Sequence, residues 1–222
     1  NKQIDCLVTC PISKEAINLA GFKYPGHTEY FSRKTKTEDF VMMLMNKDLK
    51  ISLVTRHVPI SAVALCLKAE GIYKTIVITY ESLRKLFSIT KPRIVVCGLN
   101  PHASDNGLIG SQENKIIKPV VSRLKRKISC IDGPLSADVA IAKTQAGLYD
   151  CAIAMYHDQA LIPLKLLSAQ SGVNITLGLG FVRTSPLHGT AFDIAAAGLA
   201  RPDSLIEAIK VAVQCAKNLK KT

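Results

Sequence analysis

Three histidines in this sequence each follow an apolar, strand-like run, and imidazoles in such places can bind a metal or move a proton. In a mainly parallel sheet the carboxyl ends of the strands lie along one edge, so the three side chains can converge. Neutral imidazoles suit a divalent metal that keeps positions open for a substrate. The alternative is that each is an ordinary buried histidine bonded to a neighbour. The runs and their histidines are Lys50–Thr55 with His57, Arg93–Leu99 with His102, and Cys151–Tyr156 with His157.

A second set of polar residues lies in or beside apolar runs and points to an anionic ligand. Lys165, Asn174 and Arg183 have such positions, and an isolated cation there usually needs an anionic partner. A ligand phosphate or carboxylate would supply that partner, and an internal salt bridge would do so equally well. His27 and Thr28 follow a Pro-Gly turn, from which both can donate to an anion, although Thr28 can instead cap the next helix.

The elements that must position these residues alternate between strands and helices, which predicts an α/β fold with a largely parallel sheet. The runs Phe40–Met45 and Lys50–Thr55 are close enough to form a hairpin. A small-residue stretch, Gly189–Leu199, predicts a helix. Ser204 to Glu207 predicts a capping box for the last helix. The side chains expected to be buried on that helix are Leu205, Ile209, Ala212, Ala216 and Leu219.

Composition narrows the classes of protein to which this chain can belong. Its 222 residues suffice for one large domain or two small ones, and no long uncharged apolar stretch predicts a membrane span. The net charge of +12 is scattered, and Trp is absent, so we expect no nucleic-acid partner. A positive field can instead attract anionic substrates. Seven cysteines without a C-x-x-C pattern indicate reduced thiols and a cytoplasmic protein.

Several segments together resemble the family of 4-hydroxythreonine-4-phosphate dehydrogenases, the NAD-dependent enzymes of pyridoxal 5'-phosphate biosynthesis. They occur in the family's order over essentially the whole chain, and they are specific in combination rather than singly. The segments are Gly98–Ala103, Tyr156–Gln159, Gly172–Gly178, Phe181–Ser185 and His188–Ala191, together with Thr9-x-Pro11, Lys14 and Gly26–Glu29.

The resemblance implies a fold of two α/β/α lobes, like that of isocitrate and isopropylmalate dehydrogenases, and a homodimer with each active site at the interface. Residues 1–25 and 168–222 would form part of the first lobe, and residues 26–167 the second. The family's N-terminal part, which would complete the first lobe, is expected to be missing. The chain also departs from the family at Ala103–Gly107, where Ala-Ser-Asp-Asn-Gly replaces the usual Ala-Gly-Glu-x-Gly.

The resemblance also implies roles for individual residues. Asp158 and Lys165 are the catalytic candidates: Asp158 can orient His157 or relay a proton, with a structural role as the alternative. No residue is assigned to NAD, and the metal can be Zn²⁺, Mg²⁺, Co²⁺, Mn²⁺ or Ni²⁺. The positions that match the metal ligands are His57, His102 and His157, and those that match the substrate-binding residues are His27, Thr28, Lys165, Asn174 and Arg183.

The activity implied by the resemblance is an oxidative decarboxylation. The substrate, 4-phosphooxy-L-threonine (4-hydroxythreonine 4-phosphate), is oxidised by NAD at its 3-hydroxyl and then loses CO2 to give 3-amino-2-oxopropyl phosphate. A relative that acts on D-threonate or D-erythronate 4-phosphate would share these motifs. A third possibility is a non-catalytic dimerising or ligand-binding fragment.

Overall fold

A computed structural model describes residues 4–24, 26–168 and 170–221, and in that part of the chain eight strands form one mixed sheet flanked by helices. The strands are β1 (Cys6–Val8), β2 (Val41–Met45), β3 (Lys50–Leu53), β4 (Ile94–Cys97), β5 (Ile131–Leu135), β6 (Cys151–Ala154), β7 (Val173–Leu177) and β8 (Val182–Pro186). The α-helices are α1 (Lys14–Leu19), α2 (His27–Lys34), α3 (Ile60–Cys66), α4 (Ala69–Phe87), α5 (Lys118–Lys125), α6 (Ala137–Gln145), α7 (His157–Ser168) and α8 (Asp203–Leu219).

The order of the strands across the sheet is β1-β8-β7-β2-β3-β6-β4-β5. The β3-β6-β4-β5 half is parallel, β2 pairs antiparallel with both β3 and β7, and β7 pairs antiparallel with β8. The predicted α/β class and the hairpin of β2 and β3 are therefore confirmed. The arrangement matters for function because β3, β6 and β4 are adjacent and parallel, so their carboxyl ends lie side by side.

Both faces of the sheet are covered, which explains why the strands read as continuous apolar runs. On β2, Met43 faces one apolar layer while Met42 and Leu44 face the other. Helices α4, α5 and α8 contribute to the first layer, and α6 and α7 to the second. This double coverage fixes the strand ends against a rigid core.

The stretch Gly189–Leu199 is not the helix that its composition predicts. The structure has only a short 3-10 turn there, Phe192–Ile194, and Ala191 and Ala196 have positive φ. Helices in proteins depend on packing an apolar face, and this run of small residues offers little side-chain surface to bury.

The predicted capping box at Ser204 is wrong. Helix α8 begins at Asp203, and the Ser204 hydroxyl instead accepts a hydrogen bond from Leu187 N (3.1 Å) and donates to Gly172 O. A buried hydroxyl that can tie two loops together satisfies groups that would otherwise have no partner.

The prediction for the buried face of α8 is confirmed at Ala212 and Ala216 and is wrong for Ile209 and Leu219. The structure buries small side chains, while Ile209 and Leu219 are 46% and 38% exposed. Small residues allow the helix to approach the sheet closely. The buried apolar residues of α8 are Ala208, Ala212, Cys215 and Ala216.

The two outer strands of the described sheet are β1 and β5. Near β1, Lys220 Nζ lies 2.8 Å from Asp5 Oδ1, so the beginning and the end of the described chain are close together. None of the helices in the described residues is long and apolar enough to cross a membrane.

Candidate active site

Backbone pairing at the ends of β3 and β6 brings two of the predicted histidines together. Past the strands, Val54 N donates to Ala154 O (2.9 Å), and Thr55 donates to Met155 O through both its N (3.1 Å) and its Oγ1 (2.7 Å). His57 and His157 follow directly, and their ring centroids are 5.6 Å apart. We call these two side chains the imidazole pair.

The surroundings of His57 favour its neutral, metal-binding form, and His157 has a carboxylate beside it. His157 is the first residue of α7, and its Nδ1 lies 2.7 Å from Asp158 Oδ1, which leaves Nε2 for another partner. The pKa of His57 is lowered by partial burial first, and then by the positive charges of Lys14 and His157. Neutral imidazole is the form that ligates metals.

The third predicted ligand, His102, does not join the pair within this chain. It follows β4 and is carried by the 3-10 turn Pro101–Gly107, where its side chain is 74% exposed and its Nδ1 lies 3.1 Å from Asp105 Oδ2. Among the described residues there is no cluster of three or more His, Cys, Asp or Glu side chains that could hold an ion. The donor chemistry fits a divalent metal, but this chain alone brings only two of the imidazoles together.

The buried guanidinium of Arg183 is held by threonine hydroxyls. Nη2 donates to Thr9 Oγ1 at 2.7 Å, while Nη1 donates to Thr176 Oγ1 at 3.2 Å and to Thr28 Oγ1 at 3.4 Å. Arg183 is 3% exposed, and its buried Nε has no hydrogen-bond partner. We call Arg183 and these three threonines the arginine cluster.

The arginine cluster is a cationic site without a direct counter-charge. No carboxylate of the described residues makes a salt bridge with Arg183, so the internal ion pair considered from sequence is not found there. Burial lowers the pKa of Arg183 to about 10, although the charge of Glu29 acts in the opposite direction. Thr28 does not cap α2, because Gly26 occupies the N-cap position. A buried cation with an unused N–H is suited to receive an anion.

Two further predicted substrate residues lie near the arginine cluster. His27 begins α2 and stacks on Phe31 with a centroid distance of 6.0 Å, and its pKa is lowered by burial and by the charge of Arg183. Asn174 lies two residues before Thr176 on β7, so the two side chains share one face about 7 Å apart. Asn174 Oδ1 is buried and has no hydrogen-bond partner, so it too can accept a bond from a ligand.

Lys165 differs from the sequence-based expectation in its burial. The apolar run around it suggested an embedded cation, but the structure places it exposed on α7, because the helix turns its apolar face inward through Ala160 and Leu164. Its proposed role in the reaction stays a prediction.

An open cavity of about 420 Å³ is lined by His57 and by residues to which the sequence gave no role. Glu29 is one of them, and its charge acts on both His57 and Arg183, so α2 joins the imidazole pair to the arginine cluster. The position of Glu29 directly after the predicted substrate residues His27 and Thr28 is the sequence feature that could have identified it. The charged and reactive side chains in this wall are Lys14, Glu29, Arg56, His57 and Cys66.

A second open cavity, of about 790 Å³, lies on the other side of α1. Its walls are mostly small side chains and backbone from Cys10 to Ile17 and from His188 to Ala200. Walls of this kind allow a flat or extended ligand to approach the main chain.

The sheet and its covering helices define a protein of the α/β class, and imidazoles at adjacent strand ends beside a buried cation are typical of a ligand site. Comparison with known proteins then gives the family. The sequence model described as "Pyridoxal phosphate biosynthetic protein PdxA" matches residues 1–212, and the chain belongs to that family.

Individual relatives agree with this assignment. A 4-hydroxythreonine-4-phosphate dehydrogenase of Sulfurihydrogenibium sp. (strain YO3AOP1) is 46% identical over 212 residues, which cover 96% of this chain and 65% of that protein. A protein of Oceanobacillus iheyensis, provisionally named D-threonate 4-phosphate dehydrogenase, is 43% identical over 96% of this chain and 64% of its own.

Solved structures show the same fold. The crystal structure of 4-hydroxythreonine-4-phosphate dehydrogenase from Klebsiella pneumoniae superposes with a TM-score of 0.87 at 42% identity, covering 94% of this chain and 63% of that one. This chain therefore spans somewhat less than two thirds of the length of the relatives that it matches.

Proposed function

We propose that this chain belongs to an NAD-dependent dehydrogenase that oxidises 4-phosphooxy-L-threonine at the 3-hydroxyl and then releases CO2 to give 3-amino-2-oxopropyl phosphate. The observation that carries the proposal is the arginine cluster, a buried cation without a salt bridge, close to the imidazole pair. A substrate with a phosphate at one end and a reacting hydroxyl at the other needs both features.

The residues of the arginine cluster would bind the charged groups of the substrate. Arg183 donates to the phosphate or the carboxylate, and Thr28 and His27 donate from the start of α2. Asn174 accepts from the substrate through its unpartnered Oδ1. Lys165, which is exposed on α7, adds a second cation for the substrate's negative charge.

Asp158 and Lys165 would handle the protons. The proton of the 3-hydroxyl passes toward Asp158, which is hydrogen-bonded to His157, while the hydrogen on C3 leaves as hydride. NAD, when bound, accepts that hydride. The carboxylate then departs as CO2, and the electron pair left on C2 takes up a proton, for which Lys165 is our candidate donor.

A divalent metal, when bound, would polarise the hydroxyl oxygen and stabilise the enolate. The ligands that we propose are His57, His102 and His157. Because one chain brings only two of them together, we further propose a homodimer in which a second copy of the chain completes the set. Zn²⁺, Mg²⁺, Co²⁺, Mn²⁺ and Ni²⁺ all remain candidates.

The larger architecture is part of the proposal. Residues 1–25 and 168–222 would belong to one α/β/α lobe and residues 26–167 to the other, so the lobes would meet where β7 pairs with β2. Residues 1–3, 25, 169 and 222 lie outside the described residues. For NAD we propose the 790 Å³ cavity, because its small-residue walls suit a dinucleotide. The buried thiols of Cys97, Cys151 and Cys215 suit a cytoplasmic, reducing compartment.

A second candidate substrate is D-threonate or D-erythronate 4-phosphate, which the name of the Oceanobacillus relative favours. A substrate panel separates the two activities. We expect NADH formation with 4-phosphooxy-L-threonine, and formation only with the sugar-acid phosphates would overturn the first proposal. A ligand-binding fragment without catalysis would bind a phosphorylated substrate and a metal without turnover.

The metal assignment has its own test. Substituting His157→Ala should abolish metal-dependent turnover and lower the metal content, because one imidazole of the pair is lost. Turnover and metal content equal to those of the parent protein would refute the assignment. Because this chain is shorter than its relatives, the assay is best run on the longest available form of the protein.

A further inference from the structure

The turn that carries His102 has a backbone conformation that its own residues disfavour. The five residues from His102 to Asn106 all have positive φ, between +42° and +74°, and none of them is glycine. Residues with a Cβ rarely adopt this left-handed conformation, so the surrounding structure must impose it.

A single carboxylate fixes the backbone just before this turn. Glu113, at the start of the π-helical turn Glu113–Ile117, is 1% exposed. Its Oε1 accepts from Leu99 N (2.8 Å) and Asn100 N (2.7 Å), and its Oε2 accepts from Asn100 Nδ2 (2.8 Å). All the donors to this carboxylate thus come from the two residues that link β4 to the His102 turn.

The next residue on the π-helical turn holds the far end of the same loop. Asn114 Nδ2 donates to Asn106 O at 3.0 Å. Side chains from one short helical segment therefore fix the loop both before and after His102. π-helical turns of this kind occur often at functional sites.

The packing beside Glu113 is close at Gly98, the last residue before the hydrogen-bonded pair Leu99 and Asn100. A Cβ on Gly98 would lie 2.9 Å from Ala103 Cα and 3.2 Å from Glu113 Oε1. Gly98 O also accepts from Gln159 Nε2 (2.9 Å), two residues after His157. Gly98 thus lies close to Glu113 and also accepts a hydrogen bond from the segment that carries His157.

A buried carboxylate is costly unless it is strongly hydrogen-bonded, and among the described residues Glu113 has no basic partner. A side chain that served only to fill space there could be apolar. We infer that Glu113 is the positioning residue for His102: its three accepted hydrogen bonds hold the turn that presents this imidazole. The inference rests on the proposed function in so far as His102 is a metal ligand.

The test is a cycle of substitutions read out by zinc affinity. Glu113→Gln keeps one acceptor but turns an NH2 group toward the NH2 group of Asn100, so the two donors oppose each other. We expect the affinity for Zn²⁺, measured by competition with a chromophoric chelator, to fall about 10- to 100-fold. In a His102→Ala background the same substitution should cause no further loss. Glu81→Gln, an exposed glutamate on α4, is the matched control.

Amide hydrogen exchange on the metal-free protein supplies a second measurement that does not involve zinc. Glu113→Gln should speed exchange across residues 99–107 while β6 keeps its protection. Exchange in that segment equal to the parent's, or an equal loss of zinc affinity with and without His102, would overturn the inference. If His102→Ala leaves zinc affinity unchanged, the ligand assignment fails, and the exchange experiment alone decides the role of Glu113. Should Glu113→Gln not fold, Glu113→Asp, whose shorter side chain withdraws the carboxylate from Leu99 N and Asn100 N, takes its place, with the same expected results.

Discussion

Arg183 offers a sharp test because its burial is unfavourable until an anion binds. The lowering of its pKa from 12.5 to about 10 corresponds to roughly 3 kcal/mol against the charged form. Replacing it by methionine, which has a similar volume, removes that penalty along with the hydrogen bonds to the threonines. Replacing a buried charge with an apolar side chain is often neutral or stabilising. For Arg183→Met we therefore expect a free energy of unfolding no more than about 1 kcal/mol below that of the parent.

The stabilisation of Arg183→Met by phosphate, unlike its stability without phosphate, should differ strongly from that of the parent. In the parent protein, phosphate at a hundred times its dissociation constant stabilises the folded state by about 2.7 kcal/mol. Arg183→Met should lose this stabilisation, because the unused Nε and the cationic charge are gone. The assay is urea unfolding at pH 7 with and without phosphate, with chloride added to keep the ionic strength equal.

A matched control is Arg201→Met, since Arg201 is 61% exposed and pairs with Asp203. The control should keep the full phosphate effect. The reasoning is refuted if phosphate stabilises Arg183→Met as much as the parent. It is also refuted if that variant is more than about 3 kcal/mol less stable, because Arg183 would then be structural rather than a ligand-binding cation.

Four further substitutions test the fold by urea unfolding. Asp150→Asn should cost about 1 kcal/mol at pH 7. Burial acts to raise the pKa of Asp150, but the hydrogen bonds from Arg93 lower that pKa below 3.8. The extra stability of the parent is therefore present above pH 3.8 and is lost as the pH falls through the lowered value. The same dependence of unfolding free energy on pH in both proteins would contradict this prediction. Gly133→Ala should cost about 2 to 4 kcal/mol, because φ is +121° and a Cβ would meet a neighbouring carbonyl at 2.4 Å; a neutral result would be inconsistent with that geometry. Ser204→Ala should lower the free energy of unfolding by about 1 to 2 kcal/mol, and Glu207→Ala by less than about 0.5 kcal/mol. Equal losses in the two variants would support the capping box instead.

The sequence correctly predicts the features that depend on residues close together along the chain. The apolar runs identify the strands, and the short connection between β2 and β3 identifies their hairpin. The rule that parallel strands end at one edge correctly places His57 beside His157, because their strands are neighbours.

What the sequence misses depends on contacts between distant segments. Thr9 is 174 residues from Arg183 in sequence, and the pairing of β1 with β8 brings its hydroxyl to the guanidinium. Glu113 looks like any helix glutamate until the loop after β4 folds back on it. Composition also misled the prediction at 189–199, since small residues allow a helix but do not supply the packing that stabilises one.

The two outer strands of the described sheet differ in how readily each would pair with a strand from another chain. Along β5, Gly133 and Pro134 interrupt the ladder, and proline cannot donate a backbone hydrogen bond to an added strand. Strand β1, Cys6–Val8, has neither proline nor charge, and in the described sheet it pairs only with β8. An unprotected edge of this kind can recruit a strand from another chain. Within the part of the chain that the structure describes, β1 is therefore the edge at which an added strand would pair, and a lysine at Leu7 would oppose that pairing.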